Sequence, residues 1–248
     1  MHGMSSAYEQ AAETMHRLPA ARRSRQQGPL LREVLVGQVR ILDTYCCQGG
    51  ASMGYYEAGF EVVGVDIDPQ PRYPFEFHQG DAIQYIRDHG REYDAIHASP
   101  PCQLYSKTHR IMRSDFPDLI GPTREALDST GVPYIIENVE DAAGELRNPV
   151  RLCGGMFGLE TYRHRLFETN WGLTAPAHLE HIAKTTKMGR AVKPGEFMHV
   201  VGNFTGVDHA RHVMGMPWAN RDGLREAIPP AYSAYVGTQL ARLLAVAA

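Results

Sequence analysis

Between residues 31 and 167 short apolar runs alternate with longer mixed stretches. Val36 to Leu42, Val62 to Val65, Ala95 to Ala98 and Tyr134 to Ile136 are too short for helices and predict strands. Ser52 to Ala58, Ala82 to Asp88 and Pro122 to Ser129 predict the helices between them. Strand and helix in alternation imply an α/β fold with a mostly parallel sheet covered on both faces. In such a sheet the chemistry gathers at the strand ends, so Asp43, Asp66, Ser99 and Glu137 are expected along one edge. Residues 1–30, rich in Ala, Arg, Gln and Ser, predict a loosely held or partly helical tail with no assigned chemistry. From Thr169 to about Arg221 the alternation stops and Gly, His, Met, Lys and Thr dominate. The pattern therefore divides the chain into a tail (1–30), an alternating α/β domain (31–168), an irregular segment (169–221) and a terminal run (222–248).

A chain of 248 residues can bury one sizeable α/β core and a small appended module, but not a second full domain. Its formal net charge of −3 means that any surface meant for phosphates must be local. Three basic clusters fit: Arg17, Arg22, Arg23 and Arg25; Lys107, His109, Arg110 and Arg113; and Lys184, Lys187, Arg190 and Lys193. The middle one begins five residues after Cys102, where a loop could follow a nucleic-acid backbone. Four unevenly spaced cysteines and no apolar leader point to a cytoplasmic protein rather than a secreted disulfide framework. No segment is long and apolar enough to span a membrane. Among twelve histidines, His178-x-x-His181 and His209-x-x-His212 are short pairs lacking a nearby cysteine or a zincin-type partner, so no metal site is expected. The absence of heptads makes a monomer the default.

Two motifs carry chemistry. Ser99-Pro100-Pro101-Cys102-Gln103 presents a thiol behind two prolines that stiffen the loop, and Glu137-Asn138-Val139 places a carboxyl at the end of an apolar strand. A thiol and a carboxyl suffice to activate a cytosine. Thiolate addition to C6 makes C5 nucleophilic, and protonation or hydrogen bonding at N3 eases that addition. Cys102 is the expected nucleophile, its thiolate favoured by a turn leading into a helix, and burial of Glu137 would favour its acid form. Upstream, an apolar run ends at Asp43 and leads into Cys46-Cys47-Gln48-Gly49-Gly50 and a helix, while the next strand ends at Asp66, placed to accept ribose hydroxyls. The glycines fall short of a dinucleotide fingerprint, which favours S-adenosylmethionine over NAD as the cofactor.

From about Ile41 to Gln239 the ordered motifs resemble the DNA cytosine-C5 methyltransferase family, in the form of its compact bacterial and phage members. Asp43 to Gly50 resembles the first cofactor motif, Asp66-Ile67-Asp68 the ribose-binding acid, Gly80-Asp81 the aspartate that meets adenine, and Arg163-His164-Arg165 the arginine motif near the target base. Ala227-Ile228-Pro229-Pro230-Ala231-Tyr232 resembles the last motif, which closes the cofactor pocket, and the run to Ala248 the helix that completes the catalytic domain. The resemblance implies a Rossmann-like S-adenosylmethionine-dependent fold, with 31–168 as the catalytic, cofactor-binding domain, 169–221 as a small target-recognition region, 222–248 returning into the catalytic domain, and double-stranded DNA as partner; the shortness of the recognition region implies a short or degenerate target sequence. It implies Cys102, Glu137, Arg163 and Arg165 as catalytic residues; Asp43, Tyr45, Cys46, Gly49, Gly50, Asp66, Ile67, Asp81 and Pro100 at the cofactor; and Gln103, Ser106 and Asn138 at the substrate. Cys47, Leu104 and Arg225-Glu226 depart from the family pattern, Cys47 and Leu104 standing where glycine is usual. Three other readings use the same residues: a tRNA cytosine-C5 methyltransferase, a silent nucleic-acid-binding relative, and an enzyme acting on free cytosine nucleotides. Trp218 reads either as a base-stacking residue or as the anchor of a small core.

Overall fold

Each central strand carries apolar side chains on alternate faces, and the two sets pack on different helices. In the computed structural model, which describes residues 39–102 and 118–247, Leu42, Val63, Ile96 and Ile136 face one core with Ile86 and Leu127. Their chain neighbours Ile41, Val62, Ala95 and Ile135 face the other, with Tyr55, Tyr232, Val236 and Leu240. The helices are α1 (Gly50–Glu57), α2 (Ala82–His89), α3 (Ile120–Thr130), α4 (Val207–Met214), α5 (Arg221–Glu226) and α6 (Pro230–Ala247). Helices α2 and α3 cover the first face, and α1 and α6 the second. Burying each such large side chain contributes about 1.5–3 kcal/mol.

The strands are β1 (Arg40–Thr44), β2 (Glu61–Asp66), β3 (Glu76–Gln79), β4 (Ala95–Ala98), β5 (Tyr134–Asn138), β6 (Val150–Leu152) and β7 (Arg165–Thr169). The described residues form one sheet in the order β3-β2-β1-β4-β5-β7-β6. Pairings from β3 to β5 are parallel, whereas β7 runs antiparallel between β5 and β6. Strand β1 extends beyond the apolar run to Asp43 and Thr44. Thr44 Oγ1 is matched inside the fold by the His97 carbonyl, and one oxygen of Asp43 by Ser52.

Strands β3, β6 and β7 carry no apolar run of the kind that marks the central four. Strand β3 is a largely exposed edge, β6 has three residues, and β7 has a single apolar pair that buried Glu168 ends. That carboxylate is tolerated because Arg124 of α3 meets it with two hydrogen bonds of 2.6 Å and the Arg147 N–H adds a third at 2.7 Å. A separate apolar cluster, including Met198, Phe204, Val213, Met214 and Leu224, organises 198–227 around α4 and α5. No helix among the described residues is long and apolar enough to cross a membrane. The N-terminal tail and its arginine cluster lie outside the described residues.

Candidate active site

Register alone brings the predicted strand-end residues to one level. Thr44 pairs with Val65 and with Ala98, and Ala98 with Ile136, so the next residue on each strand is Tyr45, Asp66, Ser99 or Glu137. The expected edge is the C-terminal edge of the parallel strands.

On one half of that edge the chain turns sharply from β1 into α1. Tyr45, Cys47 and Gly49 have φ of 58°, 45° and 79°, all left-handed. Asp66 braces the turn, accepting the Cys47 N–H on Oδ2 at 2.9 Å and the Asp68 N–H on Oδ1 at 3.0 Å. Ile67 beside it is 63% exposed, an apolar surface at a strand end. Asp81 caps α2 by accepting the Gln84 N–H, and Tyr45 is tied to Thr123 through hydroxyls 2.8 Å apart. Cys46 is buried. Asp43 is buried with Oδ2 on Ser52, and Oδ1 has no hydrogen-bond partner among the described residues. Burial, reinforced by Asp66 against the Ser52 hydrogen bond, raises its carboxyl to about 7. An unpartnered carboxylate oxygen, a strand-end acid and an exposed apolar side chain together suit a cationic nucleoside ligand.

The two glycines of this turn divide the work. Gly49 supplies the left-handed conformation, and a Cβ there would lie 2.9 Å from Pro74 Cδ. At Gly50 a Cβ would overlap the Ile228 carbonyl oxygen, so its lack of a side chain serves packing against the returning segment, where the sequence reading expects cofactor contact. Cys47, where the resembled family has glycine, carries a side chain in the left-handed region, which costs about 1–2 kcal/mol. Its Sγ lies 3.9 Å from Glu226 Oε2, so two departures from the family pattern touch each other. Cys47→Gly is expected to raise stability by up to about 1 kcal/mol, because relief of the strain exceeds the added unfolded-state entropy. Thermal unfolding should then shift upward by about 2–4 °C. An equal or lower midpoint would mean that the Glu226 contact outweighs the strain.

The same turn is latched from outside. The Trp218 indole N–H donates to the Gln48 carbonyl at 2.7 Å, and the Gln48 side chain pairs with Asn220 through two hydrogen bonds. Trp218 is thus an anchor whose polar edge is engaged, not a free stacking surface.

The other half of the edge holds Cys102 and Glu137. The loop from Ser99 to Cys102 is fixed at Pro100, whose carbonyl accepts from Asn138 Nδ2 at 2.9 Å, while Asn138 Oδ1 accepts the Val139 N–H. Asn138, expected at the substrate, instead locks the loop that carries the thiol. Buried Glu137 has Oε1 3.0 Å from Arg165 Nε, yet Oε1 makes no aligned hydrogen bond among the described residues. Ser99 hydrogen-bonds this carboxyl and is itself 2.9 Å from His97 Nε2, while His97 Nδ1 lies 2.8 Å from the Tyr55 hydroxyl. This buried chain from Tyr55 to Glu137 had no signal in the sequence beyond a histidine inside an apolar strand. Burial holds His97 neutral, with its pKa lowered to about 3.

Burial raises the Glu137 carboxyl, partly opposed by Arg165, in line with the acid form expected of it. Burial likewise raises the Cys102 thiol, with Arg165 and Arg163 pulling it down and Glu137 pushing it up. Cys102 therefore lies close enough to feel all three charges, but its resting form is the thiol and not the thiolate the sequence reading favours. The helix that reading invokes falls in 103–117, outside the described residues, as do Gln103, Ser106, Leu104 and the basic cluster from Lys107 to Arg113.

Arg163 is placed differently from the expectation that it acts at the base. Its Nε, Nη1 and Nη2 donate to the carbonyls of Ala227, Val200 and Arg225 at 2.8, 2.5 and 2.7 Å, so the guanidinium clamps backbone. Burial lowers its pKa to about 9. The Tyr232 hydroxyl supports the same turn from below, donating to the Arg163 carbonyl at 2.9 Å. Arg165 alone of the two arginines reaches Glu137. Beside this pair opens a cleft of about 390 Å³, with Val139, Arg163, Arg165, His181 and His199 among its walls.

No family model and no curated protein matches the chain. Solved structures do. A protein described as a DNA modification methyltransferase encoded within an E. coli prophage superposes with a TM-score of 0.58 at 15% identity, over 84% of this chain and 99% of its own. The S. pombe Dnmt2 methyltransferase gives 0.55 at 14% identity, over 84% and 99%. The Entamoeba histolytica methyltransferase EhMeth gives 0.54 at 11% identity, over 82% and 98%. The chain has the Rossmann-like methyltransferase fold. Within it, the β1–α1 turn and Asp66 form one half of the candidate edge, and the loops after β4 and β5 the other.

One further cluster lies outside that edge. The case against a metal rests on the lack of a cysteine near His178 and His181 in the chain. Folding brings Cys153 Sγ to 3.3 Å from His181 Nε2 and sets His164 against both histidines.

Proposed function

We propose that this protein is an S-adenosylmethionine-dependent DNA methyltransferase that modifies C5 of cytosine through a covalent adduct between Cys102 and C6. The observation that carries this reading is a half-buried thiol within the electrostatic reach of a buried carboxyl that keeps one oxygen without a hydrogen bond and is held by Arg165. Asp66, Ile67 and Asp81 would hold the nucleoside of the cofactor, with Asp43 near its cationic end. S-adenosylmethionine supplies an electrophilic methyl group when bound. Target cytosine must leave the duplex stack, because C6 is hidden inside it. Cys102 gives its proton to solvent and forms the sulfur–C6 bond, while Glu137 donates its proton to N3, which takes up the electron pair displaced through the ring. The enamine pair at C5 then forms the bond to the methyl group, and the pair of the broken carbon–sulfur bond stays on the donor's sulfur, which leaves as a neutral thioether. Loss of the C5 proton to a base or water returns the electron pair to the ring and expels the Cys102 thiolate, as N3 gives its proton back to Glu137. The region 169–221 is assigned to target recognition.

Incubation with tritiated S-adenosylmethionine and mixed-sequence duplex DNA should label the DNA, and bisulfite sequencing of plasmids from expressing cells should locate 5-methylcytosine. Label in tRNA alone would overturn the DNA assignment.

A pH profile tests the electrostatics. The reaction needs Cys102 deprotonated and Glu137 protonated, which gives a bell-shaped kcat/KM with macroscopic limits. Arg165 lowers both groups. Arg165→Met should therefore lower the rate and move both limbs to higher pH. A profile that keeps its position would show that Arg165 does not set these ionisations.

A further inference from the structure

We infer that Cys153, His164, His178 and His181 form a zinc site that fastens the segment after β7 to the arginine turn. Cys153 follows β6, His164 directly precedes β7, and His178 and His181 stand in the irregular chain beyond it. Their ligand atoms all lie within 4.8 Å of one another, the single such group of three or more found among the described residues. Three Nε2 atoms and one Sγ converge. His164 Nε2 is 3.1 Å from His178 Nε2 and 3.3 Å from His181 Nε2, and Cys153 Sγ is 3.3 Å from His181 Nε2. Zinc bonds of about 2.0–2.1 Å to nitrogen and 2.3 Å to sulfur put tetrahedral ligands about 3.3–3.6 Å apart, close to this spacing.

Hydrogen bonding supports the assignment independently. His164 Nδ1 is 2.9 Å from Glu140 Oε2, and a carboxylate there requires Nδ1–H, which leaves Nε2 of the neutral ring with one lone pair. That lone pair faces two further imidazole nitrogens, and a single cation between them satisfies all three. The carboxylate behind a ligating histidine also fixes its tautomer and raises its basicity. His181 is held in turn by Tyr162, whose ring stacks on it at 3.5 Å and 8°, and whose hydroxyl binds both the N–H and the carbonyl of Ala183. One thiolate with three imidazoles is a donor set for zinc, whereas calcium and magnesium take oxygen.

Four protein ligands leave no open position, so the ion is structural. Because His164 lies between Arg163 and Arg165, the ion would steady the turn that presents Arg165 to Glu137 and join it to the start of the recognition region.

Full-length protein, stripped with a chelator and titrated with zinc against a chromophoric indicator, should take up one equivalent. Cobalt substitution should give tetrahedral d–d absorption with a thiolate charge-transfer band, and the band should vanish in Cys153→Ser. His178 is exposed, so His178→Ala should fold normally and lose at least about 100-fold in zinc affinity. His212→Ala, on α4, should bind as the unaltered protein does. No stoichiometric uptake, a charge-transfer band that survives Cys153→Ser, or equal losses in His178→Ala and His212→Ala would each overturn the site. These readouts are independent of methyl transfer, so failure here and failure of the proposed activity are distinguishable.

Discussion

Cys102→Ala is expected to abolish methyl transfer to DNA while leaving cofactor binding intact. The proposed chemistry has no second route to a nucleophilic C5, since without addition at C6 the ring stays too electron-poor to attack a methyl donor. The rate should fall by at least about 10⁴-fold, equivalent to about 5.5 kcal/mol of transition-state stabilisation. Equilibrium binding of the cofactor should not change, because Cys102 follows β4 whereas most of the proposed cofactor residues, Asp43 to Gly50, Asp66 and Ile67, lie at the ends of β1 and β2. Retained transfer in this variant would remove the thiol from the mechanism.

The second large effect concerns stability. Arg163→Met keeps most of the side-chain volume but orphans the carbonyls of Val200, Arg225 and Ala227, through which the 198–227 cluster is joined to the arginine turn. A buried acceptor left without a donor costs about 1–3 kcal/mol. Removing a guanidinium whose own burial is unfavourable offsets part of this, so the net loss should be about 3 kcal/mol. Thermal unfolding should report it as a fall of about 6–12 °C. A variant that unfolds at the unaltered temperature yet has lost activity would return Arg163 to the target base, where its motif alone would put it.

These two arginines show where sequence reasoning stops. A guanidinium has five donors, and the pattern Arg163-His164-Arg165 does not reveal whether they meet a substrate, a carboxylate or backbone. The central strands were legible because an apolar run between turn residues has few alternatives, and parallel pairing then carries Asp66, Ser99 and Glu137 to one edge whatever the loops do. Strand β7 was not, because Glu168 breaks its apolar pattern and only folding reveals Arg124 as its partner. Asn138 carried a motif but no hint that its amide faces Pro100. The four metal-ligand candidates were hidden for a similar reason, since Cys153 and His164 belong to different elements from His178 and His181 and meet only through the β6–β7 pairing. Cys47 and Glu226 were each noted as departures, and their contact depends on the return of the chain to the β1–α1 turn.

The central claim is a covalent bond between one sulfur and one pyrimidine carbon. Duplex DNA with 5-fluorocytosine at cytosine positions tests it, because fluorine cannot leave C5 as a proton does and the adduct is trapped after methyl gain. With S-adenosylmethionine present, the account predicts a protein–DNA complex stable to denaturation, its linkage mapping by mass spectrometry to Cys102. Methylation of ordinary cytosine DNA with no trapped complex, or a complex joined through another residue, would contradict it.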